Sequence, residues 1–121
     1  MATLLFVEDE ISLRGLVGDA LAENGFAVSL ALDGRAALEL LATTRFDVVI
    51  SDVTMPGGFS GIQLAEHIRE HHPETRVILV SGHARAQLPP LPAAIEFLPK
   101  PYRIGQLFAL LAEKPTKVTA S

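Results

Sequence analysis

The chain reads as an α/β domain, a doubly wound five-stranded parallel sheet in the order 2-1-3-4-5 with helices on both faces. Two observations predict it. Short apolar runs alternate with stretches of helical spacing along most of the 121 residues, and such alternation builds a parallel sheet joined by crossover helices. The first, third and fourth runs are solidly apolar, as central strands covered on both faces are. The second and fifth carry Ser29 and Glu96 and fit the edges.

The elements follow in order. Thr3 to Val7 is the first strand and ends on Glu8-Asp9-Glu10. Leu13, Leu16, Val17, Ala20 and Leu21 recur at helical spacing, and Asn24-Gly25 supplies the C-terminal stop. Phe26, Val28 and Leu30 alternate with small residues to give a second strand. Asp33 can cap a second helix that buries Ala36, Ala37, Leu40 and Leu41. Val48-Val49-Ile50 then runs into Ser51 and Asp52, a buried strand that finishes on a carboxylate. Ser60 caps a third helix carrying Gly61, Leu64, Ala65 and Ile68, with Pro73 beyond its end. Thr75 to Val80, ending on Ser81, is the fourth strand, Ala94 to Leu98 the fifth, and Ile104 to Leu111 the last helix.

One element breaks the rhythm. Pro89, Pro90 and Pro92 lie between the fourth and fifth strands, and proline removes donors and clashes inside a helix. The expected fourth helix is therefore shortened or missing, with at most one turn over 83–88. Residues 1–113 make one domain, and 114–121, without apolar periodicity, read as a flexible C-terminal tail.

Composition narrows the function. Half the residues are hydrophobic, there is no cysteine and the net charge is −4. A disulfide framework and thiolate metal sites are excluded, and no basic footprint for direct nucleic-acid binding is present. No apolar run approaches the ~20 residues that cross a bilayer, and the N-terminus lacks a basic signal-peptide region. A cytoplasmic protein without a membrane segment is expected.

In a sheet of this order, ligands bind beyond the carboxyl ends of the strands where the order reverses, between strands one and three. Glu8 and Asp9 from strand one meet Asp52 from strand three there, with Ser81 and Lys100 from strands four and five. Clustered carboxylates repel one another, so stability gives no reason to assemble them. A divalent cation does, and an all-oxygen set with room for water and phosphate suits Mg²⁺. A lysine and a hydroxyl facing that cation fit phosphoryl transfer. Asp52, flanked by all the others, is the nucleophile.

These residues carry a resemblance. Glu8-Asp9, "SDVTMPGG" around Asp52, "VSGHA" with Ser81 and "LPKPY" with Lys100 resemble the receiver domains of bacterial two-component response regulators, over residues 3 to 113. The resemblance implies a flavodoxin-like fold in which Asp52 accepts a phosphoryl group from a histidine kinase or histidine phosphotransfer protein. It implies Mg²⁺ on Asp9, Asp52 and the backbone carbonyl of Thr54, with Glu8 acting through water. Lys100 would pair with the phosphoacceptor and then the phosphate, joined by Ser81 and the N–H of Gly82. Phe97 stands at the coupled switch position, where it serves either as switch or as core. Thr54 and His83 occupy the positions that tune dephosphorylation, and a cis Lys100–Pro101 peptide is expected.

Other readings have their own marks. A phosphate-independent interaction module on the same fold would not need the acidic cluster or Lys100. An aspartyl phosphatase would show Asp-x-Asp where this chain has Asp52-Val53-Thr54, and a flavin carrier would not place Glu8-Asp9-Glu10 in its phosphate loop. The domain is expected to turn over no metabolite and to signal through an unknown output protein. It is expected to stand alone, the alternative being the receiver of a larger regulator or hybrid kinase. The last helix, with Ile104, Leu107, Phe108, Leu110 and Leu111, is either a generous core helix or, with strand five, a homodimer contact. His67 and His71, spaced i, i+4, lack a third ligand and are read as solvated histidines.

Overall fold

The computed structural model describes residues 2–84, 87–92 and 94–113; the expected tail, 114–121, and part of the expected turn over 83–88 lie outside them. Strands β1 (Thr3–Val7), β2 (Ala27–Ala31), β3 (Val48–Asp52), β4 (Arg76–Ser81) and β5 (Glu96–Pro99) pair in parallel. Their order is β2-β1-β3-β4-β5, as the sequence predicts. The helices are α1 (Ile11–Glu23), α2 (Gly34–Thr43), α3 (Gly61–His71) and α4 (Ile104–Ala112). None of the described helices is long and apolar enough to cross a membrane.

Alternation along the strands divides the core into two layers. Leu5, Val7, Val49, Val77 and Leu79 face Ala37 and Leu41 of α2 and Leu64, Ala65 and Ile68 of α3. Leu4, Phe6, Ile50, Ile78 and Val80 face Val17 and Leu21 of α1 and Leu107 of α4. Each fully buried Leu or Ile contributes roughly 2 kcal/mol, so these layers, more than helix propensity, hold the helices in place.

The helix ends follow the sequence. The Asp33 carboxylate accepts from the Ala36 N–H at 2.8 Å. Ser60 and Gln63 form a reciprocal capping box, with bonds of 3.1 and 2.8 Å. Gly25, at φ +93°, makes the left-handed turn after α1. In the loop after β3, Gly57 and Gly58 also take positive φ. They deliver Phe59 onto Gly34, where a Cβ would lie 2.3 Å from the ring.

Among the described residues no α-helix stands between β4 and β5. The Gln87 N–H bonds the Ala84 carbonyl at 2.9 Å in a single turn. Leu88 and Leu91 of the proline-rich segment pack with Phe97 against the α2–α3 layer. Apolar cover thus persists where regular helix does not.

Three expectations change. Leu16 is not a core residue: it is 71% exposed, because α1 turns only the narrower stripe through Val17 and Leu21 to the sheet. β5 starts at Glu96 rather than Ala94, since Ala94 sits at φ +64°, a conformation a strand cannot continue through. Glu96 marks an edge strand, as read, but it is buried there, paired with Arg76 at 2.8 Å. Arg76 also donates to the carbonyls of Leu110, Leu111 and Glu113, so one buried guanidinium ties β4 and β5 to the end of α4.

Candidate functional site

The site is built by strand register. Val7 lies beside Ser51, and Asp52 beside Val80, so Glu8 and Asp52 emerge next to each other as their strands end. The Lys100 N–H bonds the Ser81 carbonyl at 2.8 Å, extending the β4–β5 pairing one residue past Pro99 and aiming the lysine back across the sheet. Its Nζ stands 2.6 Å from Asp52 Oδ1 and 3.3 Å from Glu8 Oε1. The Lys100–Pro101 peptide is cis, as expected.

Glycine makes one close approach possible. The Gly61 N–H bonds the Val53 carbonyl at 2.8 Å, and a Cβ on Gly61 would lie 2.0 Å from the Asp52 carbonyl oxygen. Any larger residue would push α3 off β3. The sequence reading placed Gly61 only as a helix residue; its position right after the cap Ser60 was the available signal.

Glu8, Asp9 and Asp52 each offer a carboxylate oxygen, all within 4.8 Å of one another. Glu8 and Asp52 are buried and Asp9 is exposed. Burial, then the hydrogen bond to Asp52, pushes the Glu8 carboxyl above the usual carboxylate range, although the Glu10 N–H and Lys100 oppose the rise. Burial alone would lower the Lys100 pKa, but the bond and charge of Asp52, with Glu8 behind it, raise it on balance. The lysine therefore stays cationic. Three carboxylates facing one ammonium leave surplus negative charge, and an all-oxygen donor set of this kind fits a hard divalent cation.

A cleft of about 210 Å³ opens over these groups, lined by Asp9, Asp52, Thr54, Ser81, Gly82, His83 and Lys100, with Val80 at its base. Of the residues singled out from sequence, only Glu8 and Phe97 are not on its wall. Glu8 lies buried beneath, and Phe97 is half-buried against the α2–α3 core layer, on which Leu88 and Leu91 also pack. The Ser81 hydroxyl accepts the His83 N–H at 3.0 Å, which leaves its own O–H free to donate.

Two neighbours escaped the sequence reading. Arg14 of α1 donates to the Glu8 carbonyl at 3.0 Å. Tyr102 follows the cis proline, and its hydroxyl is buried without a hydrogen-bond partner among the described residues. Burial, then the nearby charge of Glu8, pushes that phenol up to about 12.

A five-stranded doubly wound domain with an acidic cluster, a lysine and a hydroxyl at its topological switch point defines a phosphoryl-handling signalling domain. The family model of the response regulator receiver domain matches residues 4–112, and the chain belongs to that family, the phosphoacceptor switches of two-component signalling. It is 38% identical over 117 residues to the sensor kinase CckA of Brucella abortus, covering 93% of this chain and 12% of that protein. It is 34% identical over 108 residues to the DNA-binding transcriptional regulator NtrC of Escherichia coli, covering 87% of this chain and 23% of that protein. The chain thus spans a small part of these relatives. Among solved structures, the chemotaxis response regulator CheY4 of Vibrio cholerae superposes with TM-score 0.81 at 32% identity, covering 92% of this chain and 96% of that one. The response regulator TrrA of Thermotoga maritima, solved in complex with Mg²⁺ and BeF, gives TM-score 0.79 at 28% identity, covering 92% and 96%.

Proposed function

We propose that Asp52 is the phosphoacceptor, and that this chain takes its phosphoryl group from a phosphohistidine of a histidine kinase or phosphotransfer protein. The observation that carries the reading is the convergence of Glu8, Asp9 and Asp52 within 4.8 Å, with Lys100 2.6 Å from Asp52. An Asp52 carboxylate oxygen attacks phosphorus as the P–N bond to the donor imidazole breaks; the electron pair stays on that nitrogen, which takes a proton from solvent, leaving an acyl phosphate on Asp52 and a neutral histidine. Hydrolysis later returns inorganic phosphate and the carboxylate.

Glu8, Asp9 and Asp52 would hold Mg²⁺, with the Thr54 carbonyl as a further oxygen donor. When bound, the ion supplies charge neutralisation for the phosphoryl oxygens. Lys100 neutralises Asp52 in the resting state and moves to a phosphoryl oxygen once the acyl phosphate forms. The free O–H of Ser81 donates to a second oxygen, and the Gly82 N–H to a third. Exposed Thr54 and His83 flank the path by which water reaches phosphorus, and so set the lifetime.

Phe97 couples the site to the surface. As Ser81 moves towards the phosphoryl group, Phe97 follows it inward and rearranges its packing on the core layer that Leu88 and Leu91 also cover. The proline-rich segment, rather than a regular helix, then carries the change to an output partner. Such a switch works because the phosphoryl group binds one arrangement better than the other.

The test is intact mass after incubation with Mg²⁺ and a small acyl-phosphate donor. A single phosphoryl adduct that needs Mg²⁺ and is lost in Asp52→Asn is expected. An adduct that persists in the variant would overturn the assignment.

A further inference from the structure

The far end of α3 carries chemistry that phosphoryl transfer does not use. His67 and His71 lie with ring centroids 4.3 Å apart and planes 25° from parallel, and the His72 ring stands 6.0 Å from His67. Three imidazoles thus meet where α3 ends, at the opposite end of the sheet from Asp52. His72 is the third ring that the i, i+4 pair lacked when read from sequence.

We propose that His67 and His71, with His72 as a third donor, bind a transition-metal dication, Zn²⁺ in the first instance, at the C-terminal end of α3.

Three observations carry the site. The His71 Nδ1 lies 3.1 Å from the His67 carbonyl; with the proton on Nδ1, that bond fixes the tautomer and leaves Nε2 as a free lone pair, the arrangement typical of a ligating histidine. Among the described residues the rings of His67 and His72 have no hydrogen-bond partner, so binding displaces none. Finally, the negative end of the helix dipole favours a cation.

Two cationic side chains stand at this end and both are engaged: Arg69 donates to the carbonyls of Pro73 and Thr75, and Arg45, on the cleft wall with His71 and His72, pairs with Glu74. His71 and His72 also line a cleft of about 430 Å³ with Thr43, Thr44 and Glu74, which leaves room for water to complete the coordination shell. Among the described residues only Glu8, Asp9 and Asp52 already bring three ligand atoms within 4.8 Å. The imidazole nitrogens therefore converge by rotation of the His67 and His72 rings, half-buried and without hydrogen-bond partners among the described residues, towards the His71 ring that its Nδ1 bond fixes. Imidazole selects zinc, copper and nickel, whereas the carboxylates select magnesium, so the two sites do not compete for one ion.

The experiment is calorimetric titration of the untagged full chain with Zn²⁺ in excess Mg²⁺, alongside His67→Ala, His71→Ala, His72→Ala and Asp52→Asn. One zinc per chain is expected. His67→Ala and His71→Ala should each weaken binding by roughly tenfold or more, and His72→Ala by less. Asp52→Asn should bind as the parent does. Circular dichroism checks that the variants fold, and zinc should raise the Tm of the parent but not of the His67→Ala/His71→Ala pair. Absence of saturable binding would overturn the proposal. So would binding that survives the paired substitution, or binding lost in Asp52→Asn.

Discussion

The two ends of the sheet bury charge in opposite ways. At the amino end, Arg76 and Glu96 face each other with side chains 7% exposed, one cation to one anion, and the remaining guanidinium donors go to the last carbonyls of α4. Nearby Thr75 bonds the Phe46 carbonyl at 2.8 Å, and the Thr3 N–H bonds Asp47 at 2.9 Å. Arg76 and Glu96 thus satisfy each other, and among the described residues only the Arg69 Nε, beside Thr75, is buried there without a hydrogen bond. At the carboxyl end three carboxylates meet one lysine, and a buried tyrosine hydroxyl goes unpaired. The balanced end holds the fold together; the unbalanced end is held by the fold, and its surplus charge is what a cation and a phosphoryl group can use.

The largest effect should come from breaking the balanced end. Arg76→Ala leaves Glu96 buried without a partner and the α4 carbonyls without donors, so it should cost about 3–5 kcal/mol in urea denaturation. Replacing both partners with apolar residues, Arg76→Met with Glu96→Leu, should recover most of that, because no lone charge remains. A single-variant loss below about 1 kcal/mol would mean that the pair behaves as a surface ion pair.

The unbalanced end should respond in the other direction. Saturating Mg²⁺, at about a hundred times its Kd, should add about 2.7 kcal/mol, and less in Glu8→Gln or Asp52→Asn. Without Mg²⁺ at neutral pH, Glu8→Gln should itself stabilise the chain. The sign follows from the raised pKa of Glu8, beside Asp52 and Lys100. The parent loses stability as pH rises through the folded value of Glu8, and below its ordinary value of 4.5 the difference between parent and variant should vanish. Urea midpoints across that range, with and without Mg²⁺, check both effects. A variant less stable than the parent at neutral pH would show that Glu8 is a net structural asset.

The two ends were not equally legible in the sequence. Glu8, Asp9, Asp52, Ser81 and Lys100 could be read because each ends a strand, and strand ends converge once the order is known. The caps Asp33 and Ser60 could be read because capping is local. Arg76 with Glu96 could not: the pair spans twenty positions, and a glutamate in a short strand looks like an exposed edge until its partner is placed. Leu16 misled because helical spacing alone does not say how wide a stripe the sheet covers. Gly61 hid its role because a close backbone approach leaves no mark beyond the glycine itself. Ala94 at positive φ left none at all.

Tyr102 offers the smallest and sharpest comparison, since it differs from phenylalanine by one oxygen. Its ring packs in the α1–α4 layer, while its hydroxyl is buried beside the charged cluster with no partner. An unsatisfied buried hydroxyl is a desolvation cost with nothing returned. Tyr102→Phe should therefore stabilise the chain by about 1 kcal/mol or less. It should also abolish the phenol titration near 12 and leave the phosphoryl adduct on Asp52 intact. Destabilisation instead would mean that the hydroxyl holds a water bridging to the cluster. In that case the carboxyl end would be less unbalanced than its direct contacts imply, and Tyr102 would belong with Lys100 among the groups that offset its charge.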